Sequence, residues 1–109
     1  MGKTDTTAFS ENSTYPYVGC PLDSDSDFDK TNGVTLTSDY TPDLETYGYI
    51  RGIMVGGSGN LHVVFYNGGE MILPVVVASS DFVEVFRGFQ IVTIKSDSTT
   101  TCTKVFPLF

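Results

Sequence analysis

The sequence is poor in positive charge. Only six of its 109 residues are Lys or Arg, against thirteen Asp or Glu, and the formal net charge at pH 7 is -7. A protein that binds nucleic acid or an anionic membrane presents clustered Lys and Arg side chains, whereas the six here are scattered along the chain. We therefore expect no nucleic-acid partner and no membrane partner.

Cysteine, histidine and long hydrophobic runs are scarce as well. Cys20 and Cys102 lack CxxC spacing, so they predict two free thiols rather than a disulfide framework or a zinc site. His62 is the only histidine, which excludes a cluster of histidine metal ligands. No apolar run approaches the roughly 18 residues of a membrane helix, and the start lacks the apolar core of a signal peptide. We expect a soluble chain made in the cytoplasm.

The first 32 residues differ in character from the rest. Nine of the thirteen acidic residues lie between Asp5 and Glu45, and residues 1–32 show neither helical nor alternating periodicity. Pro16 and Pro21 interrupt any regular element. We interpret residues 1–32 as an extended polar and acidic arm that orders against a neighbouring subunit, or alternatively as a plain disordered tail. The apolar anchors of the arm at that interface are predicted to be Phe9, Tyr15, Tyr17 and Phe28.

From Tyr49 onward, short runs rich in β-branched and aromatic residues alternate with turns rich in Gly or Ser. This spacing is typical of a sandwich or barrel, and no segment of ten or more residues has helical periodicity. Pro74 cannot donate to a β-ladder and predicts an edge, a bend or a bulge. We predict an all-β fold, a small jelly-roll-like sandwich or barrel, over residues 33–109. The predicted strands are Tyr49–Val55, Asn60–Tyr66, Glu70–Val77, Asp81–Phe86, Phe89–Lys95 and Thr101–Phe106.

Two glycine-rich stretches are interpreted as structural turns. Residues 56–59, Gly-Gly-Ser-Gly, are predicted to use positive φ so that the strand before them reverses into the strand after them. They lack the following Lys and Ser or Thr of a phosphate-binding loop. Residues 67–69, Asn-Gly-Gly, predict the turn of a hairpin. The turn glycines are Gly56, Gly57, Gly59, Gly68 and Gly69.

Acidic residues alternate from Asp23 to Asp29, as in the first half of a calcium-binding loop. Phe28 stands where such a loop needs Gly, and Val34 stands where it needs a bidentate Glu. We therefore interpret the stretch as a solvated acidic loop and predict no metal site.

The residues that most often carry catalysis form no set in this sequence. His62 alternates with the apolar residues 61, 63 and 65, which predicts a surface or interface position rather than a catalytic one. Glu70 and Glu84 would form a carboxylate pair only if folding brought them together, and no sequence feature indicates that it does. We predict no catalytic residue, no cofactor and no enzymatic activity.

Several short motifs occur in a fixed order after the arm. Gly33–Asp39 is near a Val-Thr-Pro-Ser-Asp opening and is continued by Pro42–Leu44, while Ile72–Val75 reads Ile-Leu-Pro-Val. The most specific block is Arg51–Val63, which follows an Arg-small-apolar-x-Val-Gly-x-x-Gly-x-Leu-x-Val pattern. In these motifs the chain resembles a family of small phage proteins that includes the head spike base of gene transfer agents.

One motif departs from the family pattern. The family closes with a strand after a Thr-Gly-Thr-Thr-Ala turn, whereas Ser98–Cys102 has no Gly; the strand residues Lys104–Phe106 stay in register. The resemblance covers residues 33–109 and gives the arm no counterpart. It implies a jelly-roll-like β domain in a symmetric ring or cluster on a capsid surface, often carrying a fibre or spike.

From these features we predict a bacteriophage virion structural protein, a capsid decoration or a head spike or fibre base subunit. Its implied partners are further copies of itself, as a trimer or pentamer, the major capsid protein and a spike or fibre protein. Two alternatives stay open. One is a tail or baseplate accessory subunit, and the other is a carbohydrate-binding β-sandwich that uses Tyr47, Tyr49 and Tyr66.

Overall fold

The structure, a computed structural model, describes residues 17–22, 24–79 and 81–109. Two of the predicted arm anchors, Phe9 and Tyr15, lie outside the described residues, as does Asp23 of the acidic loop. No helix within the described ranges is long and apolar enough to cross a membrane.

Eight strands and one short helix make up the described fold. The helix, α1, spans only Leu44–Tyr47 and begins after Asp43, whose side chain accepts a hydrogen bond from the Glu45 amide. The strands are β1 (Phe28–Asp29), β2 (Gly33–Val34), β3 (Gly52–Gly57), β4 (Gly59–Phe65), β5 (Glu70–Val75), β6 (Val83–Val85), β7 (Ile91–Ile94) and β8 (Thr103–Leu108).

The strands form two sheets. One has five strands in the order β1-β2-β8-β3-β6, and the other has three in the order β5-β4-β7. Neighbouring strands are antiparallel except β2 and β8, which pair in parallel. The predicted all-β sandwich is confirmed.

The core lies between the sheets and follows from the two-residue period of the strands. In β3, Ile53 and Val55 are fully buried, and in β4 the same holds for Leu61 and Val63. Each such aliphatic side chain contributes about 1.5–3 kcal/mol through burial. Other fully or almost fully buried apolar residues are Ile50, Ile91, Ile94, Val105 and Pro107.

The hairpin predicted around residues 67–69 is present. Strands β4 and β5 pair in antiparallel register from Gly59 opposite Val75 to Val64 opposite Glu70. Gly68 has a φ of 89°, and the Asn67 side chain accepts a hydrogen bond from the amide of the second turn glycine at 2.9 Å.

The stretch 56–59 is arranged differently from the prediction. Gly56 and Gly57 lie within β3, and only Ser58 separates β3 from β4. The two strands belong to different sheets, so the chain crosses from one layer of the sandwich to the other instead of reversing in a hairpin. Gly59 alone of these glycines has a positive φ, 152°. A Cβ atom there would lie 2.7 Å from Cys102 Cα, so the crossing needs glycine for close backbone approach.

The described part of the predicted arm packs on its own domain. Phe28 forms part of β1, is buried, and lies edge-on to Phe106 with ring centroids 5.8 Å apart. The Val18 and Gly19 amides donate to the Phe109 carbonyl, and the Phe109 amide donates back to Gly19 O at 2.8 Å. The folded domain therefore starts before residue 33, because apolar burial and backbone pairing are both available within the same molecule.

Candidate interaction surface

The exposed edge of the three-stranded sheet is formed by β5, which pairs only with β4. Pro74 was predicted to mark an edge, a bend or a bulge, and the structure places it in an edge strand. Its exposed apolar side chains, here called the β5 edge patch, are Met71 (40% exposed), Ile72 (47%) and Val76 (85%), the last just beyond the strand.

The β5 edge patch exposes apolar side chains on both faces of the strand. Met71 is paired with buried Val63 and is on the core side, whereas Ile72 is paired with His62 and is on the outer side. Pro74 lacks an N–H, which weakens pairing of another strand to this edge through the backbone. Contacts of side chains, rather than backbone hydrogen bonds, are therefore what the patch offers to a partner.

The outer face of the five-stranded sheet carries an apolar groove of about 260 Å³. This feature, called the sheet groove below, lies beside strands β3 and β8 and has no polar side chain in its lining. The lining residues are Cys20, Met54, Phe82, Phe106 and Leu108. Cys20 is a free thiol on the surface, and partial loss of contact with water raises its pKa.

Two glycines of β3 let aromatic rings approach the same outer face. The Tyr17 ring occupies the space where a Cβ of Gly52 would be. A Cβ at Gly56 would lie 2.6 Å from Phe82 Cε2. Phe82 in turn contacts Phe106, with ring centroids 5.8 Å apart. These glycines therefore provide room for rings, a role the sequence analysis did not assign to them.

Tyr17, one of the predicted arm anchors, is bound to this sheet. Its hydroxyl donates a hydrogen bond to the Glu84 carboxylate on β6. Burial, followed by this hydrogen bond and the charge of Glu84, raises the pKa of Tyr17 to about 12. Both Tyr17 and Phe28 thus make contacts within their own molecule.

His62 was predicted to lie at the surface or at an interface, and the surface alternative is wrong. The residue is only 9% exposed, because the loop between β7 and β8 folds over the outer face of β4. Its Nε2 lies 2.7 Å from Glu70 Oε1, and its Nδ1 lies 3.1 Å from Asp97 Oδ2 and 2.8 Å from Thr99 Oγ1. Both ring nitrogens are thus engaged by neighbouring side chains.

The His62 cluster ties three parts of the three-stranded side together: β4, β5 and the β7–β8 loop. Hydrogen bonds from the Thr99 hydroxyl and amide, with the nearby His62, hold the pKa of Asp97 below its usual value. Among the described residues, no group of three or more His, Cys, Asp or Glu side chains is arranged to hold a metal ion. These hydrogen bonds hold the β7–β8 loop against β4 and β5.

The carboxylates singled out in the sequence are not brought together. Glu70 contacts His62, while Glu84 contacts Tyr17 on the other sheet. In the acidic loop, Asp25 accepts from the Asp27 amide at 3.0 Å and from the Tyr40 hydroxyl at 3.1 Å. These oxygens are used to fix the local turn.

The three tyrosines considered for carbohydrate binding are split between two places. Tyr49 and Tyr66 are neighbours, with ring centroids 5.9 Å apart, whereas Tyr47 stacks on Phe109 at 4.7 Å. Beside Tyr66 is an open pocket of about 250 Å³. Its lining residues are Phe65, Tyr66, Asn67, Met71, Phe89 and Gln90.

A sequence signal for the outer face of the five-stranded sheet does exist. Residues 52, 54 and 56 alternate as Gly, Met and Gly in one strand, and they share a face. Glycine within a strand marks a position where another group comes close. No comparable local signal indicates the burial of His62, because the loop that covers it is more than thirty residues away in sequence.

No family model matches the sequence, and no curated protein or solved structure is significantly similar to it.

Proposed function

We propose that this chain is a structural subunit that assembles with further copies of itself through the β5 edge patch. In this proposal it is a capsid decoration or a head spike or fibre base subunit of a phage-like particle, and its role is binding rather than catalysis. The observation that carries the proposal is a β edge strand with exposed apolar side chains on both of its faces.

Physical chemistry supports self-association at this place. The exposed apolar side chains are grouped on one edge of the sheet. Covering them with a partner is favourable by roughly 25 cal/mol per Å² of apolar area that is removed from water. A second copy of the chain can cover the patch. In a closed symmetric oligomer identical subunits contact one another, so no other protein is needed. The motif order in residues 33–109 further supports a ring or cluster.

Sedimentation velocity at micromolar concentration tests the proposal. The unmodified chain is expected to sediment as a closed oligomer. Replacing Ile72 and Val76 together by Lys places charge in the patch and should yield a monomer with an unchanged melting temperature. Leu44→Lys is the matched control, because Leu44 is 51% exposed but lies on α1; this variant should stay oligomeric.

Two outcomes would count against the proposal. One is a monomeric unmodified chain at all concentrations. The other is an Ile72→Lys, Val76→Lys variant that keeps the oligomeric state. If the oligomer forms through this patch, co-purification with heads or with tails then separates the head subunit from a tail or baseplate accessory subunit.

A second candidate function, carbohydrate binding, is favoured by one observation. The Tyr49 and Tyr66 rings are adjacent, Tyr66 is 62% exposed, and the pocket beside it contains the amides of Asn67 and Gln90. A glycan array with the unmodified chain and with Tyr66→Ala tests this candidate. Binding that Tyr66→Ala abolishes would favour it over assembly.

A further inference from the structure

Val76 is an exposed apolar side chain held in a fixed position. At 85% it is the most exposed of the large hydrophobic side chains that the structure describes, and it follows Val75, which is buried in the core. On its other side the Val77 amide donates to Ser58 Oγ at 2.8 Å, and the Ser58 hydroxyl donates to the Val77 carbonyl at 3.3 Å. A valine side chain is also stiff about χ1. Val76 therefore loses little conformational freedom when another surface covers it.

The open pocket beside Tyr66, here called the Tyr66 pocket, has room for such a side chain. Its volume is about 250 Å³, and an apolar protein cavity of about 150 Å³ already holds a benzene molecule. The rings of Phe65 and Phe89 in its wall are 5.4 Å apart, and each lies 5.9 Å from the buried ring of Phe86. Phe86 has a φ of 60°, which a bulky residue adopts only where its surroundings hold it. The aromatic wall of the pocket is therefore rigid.

Charge favours this part of the surface for contact between copies. Each copy has a formal net charge of -7, so two copies repel one another, and carboxylates that face each other across a contact oppose it further. Residues 71–79 include no charged residue, and neither do the six residues that line the Tyr66 pocket. The carboxylate that precedes them, Glu70, is hydrogen-bonded to His62 within its own molecule. An uncharged contact between copies is therefore available here.

The Tyr66 pocket is continuous with the β5 edge patch. Met71 belongs to both. Val76 lies beyond the other end of β5, five residues from Met71, which is about 17 Å along an extended strand. A side chain fixed at that distance cannot fill the pocket of its own molecule. The Val76 side chain of a second copy can fill it.

We propose that Val76 of one copy inserts into the Tyr66 pocket of the next copy. This inference rests on the proposed assembly through the β5 edge patch and names the contact that forms it. The Val76 side chain packs against the rings of Phe65, Tyr66 and Phe89 and is removed from water. Each copy contributes one such side chain and one pocket, so the contact is repeated from copy to copy and closes into a ring.

Disulfide cross-linking between copies of the full chain tests the inference. Cys20→Ser removes the exposed thiol from each variant, while Cys102 is buried and stays. A Val76→Cys variant is mixed with a size-tagged Gln90→Cys variant at a concentration where sedimentation shows the oligomer, and oxidised glutathione is added. We expect a shift from monomer to a disulfide-linked dimer of mixed size on a non-reducing gel, since Cβ atoms within about 4.5 Å can be joined. Asn67→Cys, in the same pocket, is the second partner should Gln90→Cys not fold.

Two controls use thiols away from the pocket. Leu44→Cys, in the same Cys20→Ser background, is exposed on α1 and should give little mixed dimer with Val76→Cys. The unmodified chain has its Cys20 thiol in the sheet groove. A mixed dimer with Cys20, in place of one with position 90, would mean that Val76 enters the sheet groove and would overturn the inference.

Three further results would also contradict it. If the oligomer forms but neither pocket variant is linked to Val76→Cys more than Leu44→Cys is, the inference fails and assembly through the β5 edge patch still stands. A chain that is monomeric at all concentrations removes both. Glycan binding by the oligomer that is lost in Tyr66→Ala would assign the pocket to a sugar instead of a second copy.

Discussion

The two sheets of the sandwich differ in what covers the side chains on their outer faces and edges. On the five-stranded sheet, Tyr17 and Phe82 lie directly on Gly52 and Gly56, so the outer face is partly covered from within the molecule. On the three-stranded sheet, His62 is covered by the β7–β8 loop, but the β5 edge patch is open. The two sheets therefore differ in which part of the chain returns to cover their outer side chains.

The described glycines have three roles. Gly52 and Gly56 in β3 create space for rings, and Gly59 permits the crossing between the layers. Gly68 instead has a φ of 89° and no neighbour within 4 Å of an added Cβ, so it serves only the backbone of a turn. Substitutions at these positions should therefore change the free energy of unfolding by different amounts, and the differences test these roles.

The largest effect is expected for Gly59→Val. The new side chain would clash with the backbone at Thr101 and Cys102 and would be held at a positive φ, so we expect a loss of about 3 kcal/mol or more in the free energy of unfolding. Gly68→Ala is the comparison, with a loss of about 1 kcal/mol from backbone strain alone. Urea denaturation followed by circular dichroism measures both. Equal losses would remove the distinction between the crossing and the hairpin.

Gly56→Val should be next, at roughly 1–3 kcal/mol, because the added side chain displaces the Phe82 ring. The loss should shrink when Phe82 is replaced by Ala in the same molecule. A double-mutant cycle measures this coupling. Additive effects would show that Gly56 is needed for another reason, such as the turn geometry expected from sequence.

The features of the fold that could be predicted from sequence are those that depend on residues close together in the chain. The β4–β5 hairpin and the edge position of Pro74 depend on a few adjacent residues, and both are present in the structure. The assignment of β3 and β4 to different sheets depends on pairing with β8 and β7, far along the chain. Four residues between two apolar runs look the same whether the chain reverses or crosses. Likewise, no residue near Phe28 in the sequence indicates that its ring is buried in the core.

His62→Leu tests the covered part of the three-stranded sheet, and a loss of about 1–2 kcal/mol is expected because Glu70, Asp97 and Thr99 lose their shared partner. His62→Gln keeps a donor and an acceptor and should lose less. Hydrogen exchange of the Thr99 and Thr100 amides reports on the loop. Unchanged exchange in His62→Leu would mean that His62 does not hold it.

The smallest expected effect is a change in how stability depends on pH under acidic conditions. The Ser96 amide and the Lys95 ammonium donate to Asp39 and hold its pKa below the ordinary value of 3.8. Because the folded-state pKa is the lower one, the contribution to stability is complete above about pH 5 and is lost as the pH falls through the folded-state value. Melting temperatures between about pH 6 and pH 3 should fall less steeply for Asp39→Asn. An identical slope would contradict this assignment.

Assembly through β5 is tested most directly by hydrogen exchange of the unmodified chain at two protein concentrations. Between submicromolar and high micromolar protein, exchange in residues 70–77 is expected to slow, because a second copy covers the β5 edge patch. Exchange in residues 103–108, which pair with strands on both sides within the molecule, should stay the same. Exchange in residues 70–77 that does not depend on concentration would contradict assembly through this edge.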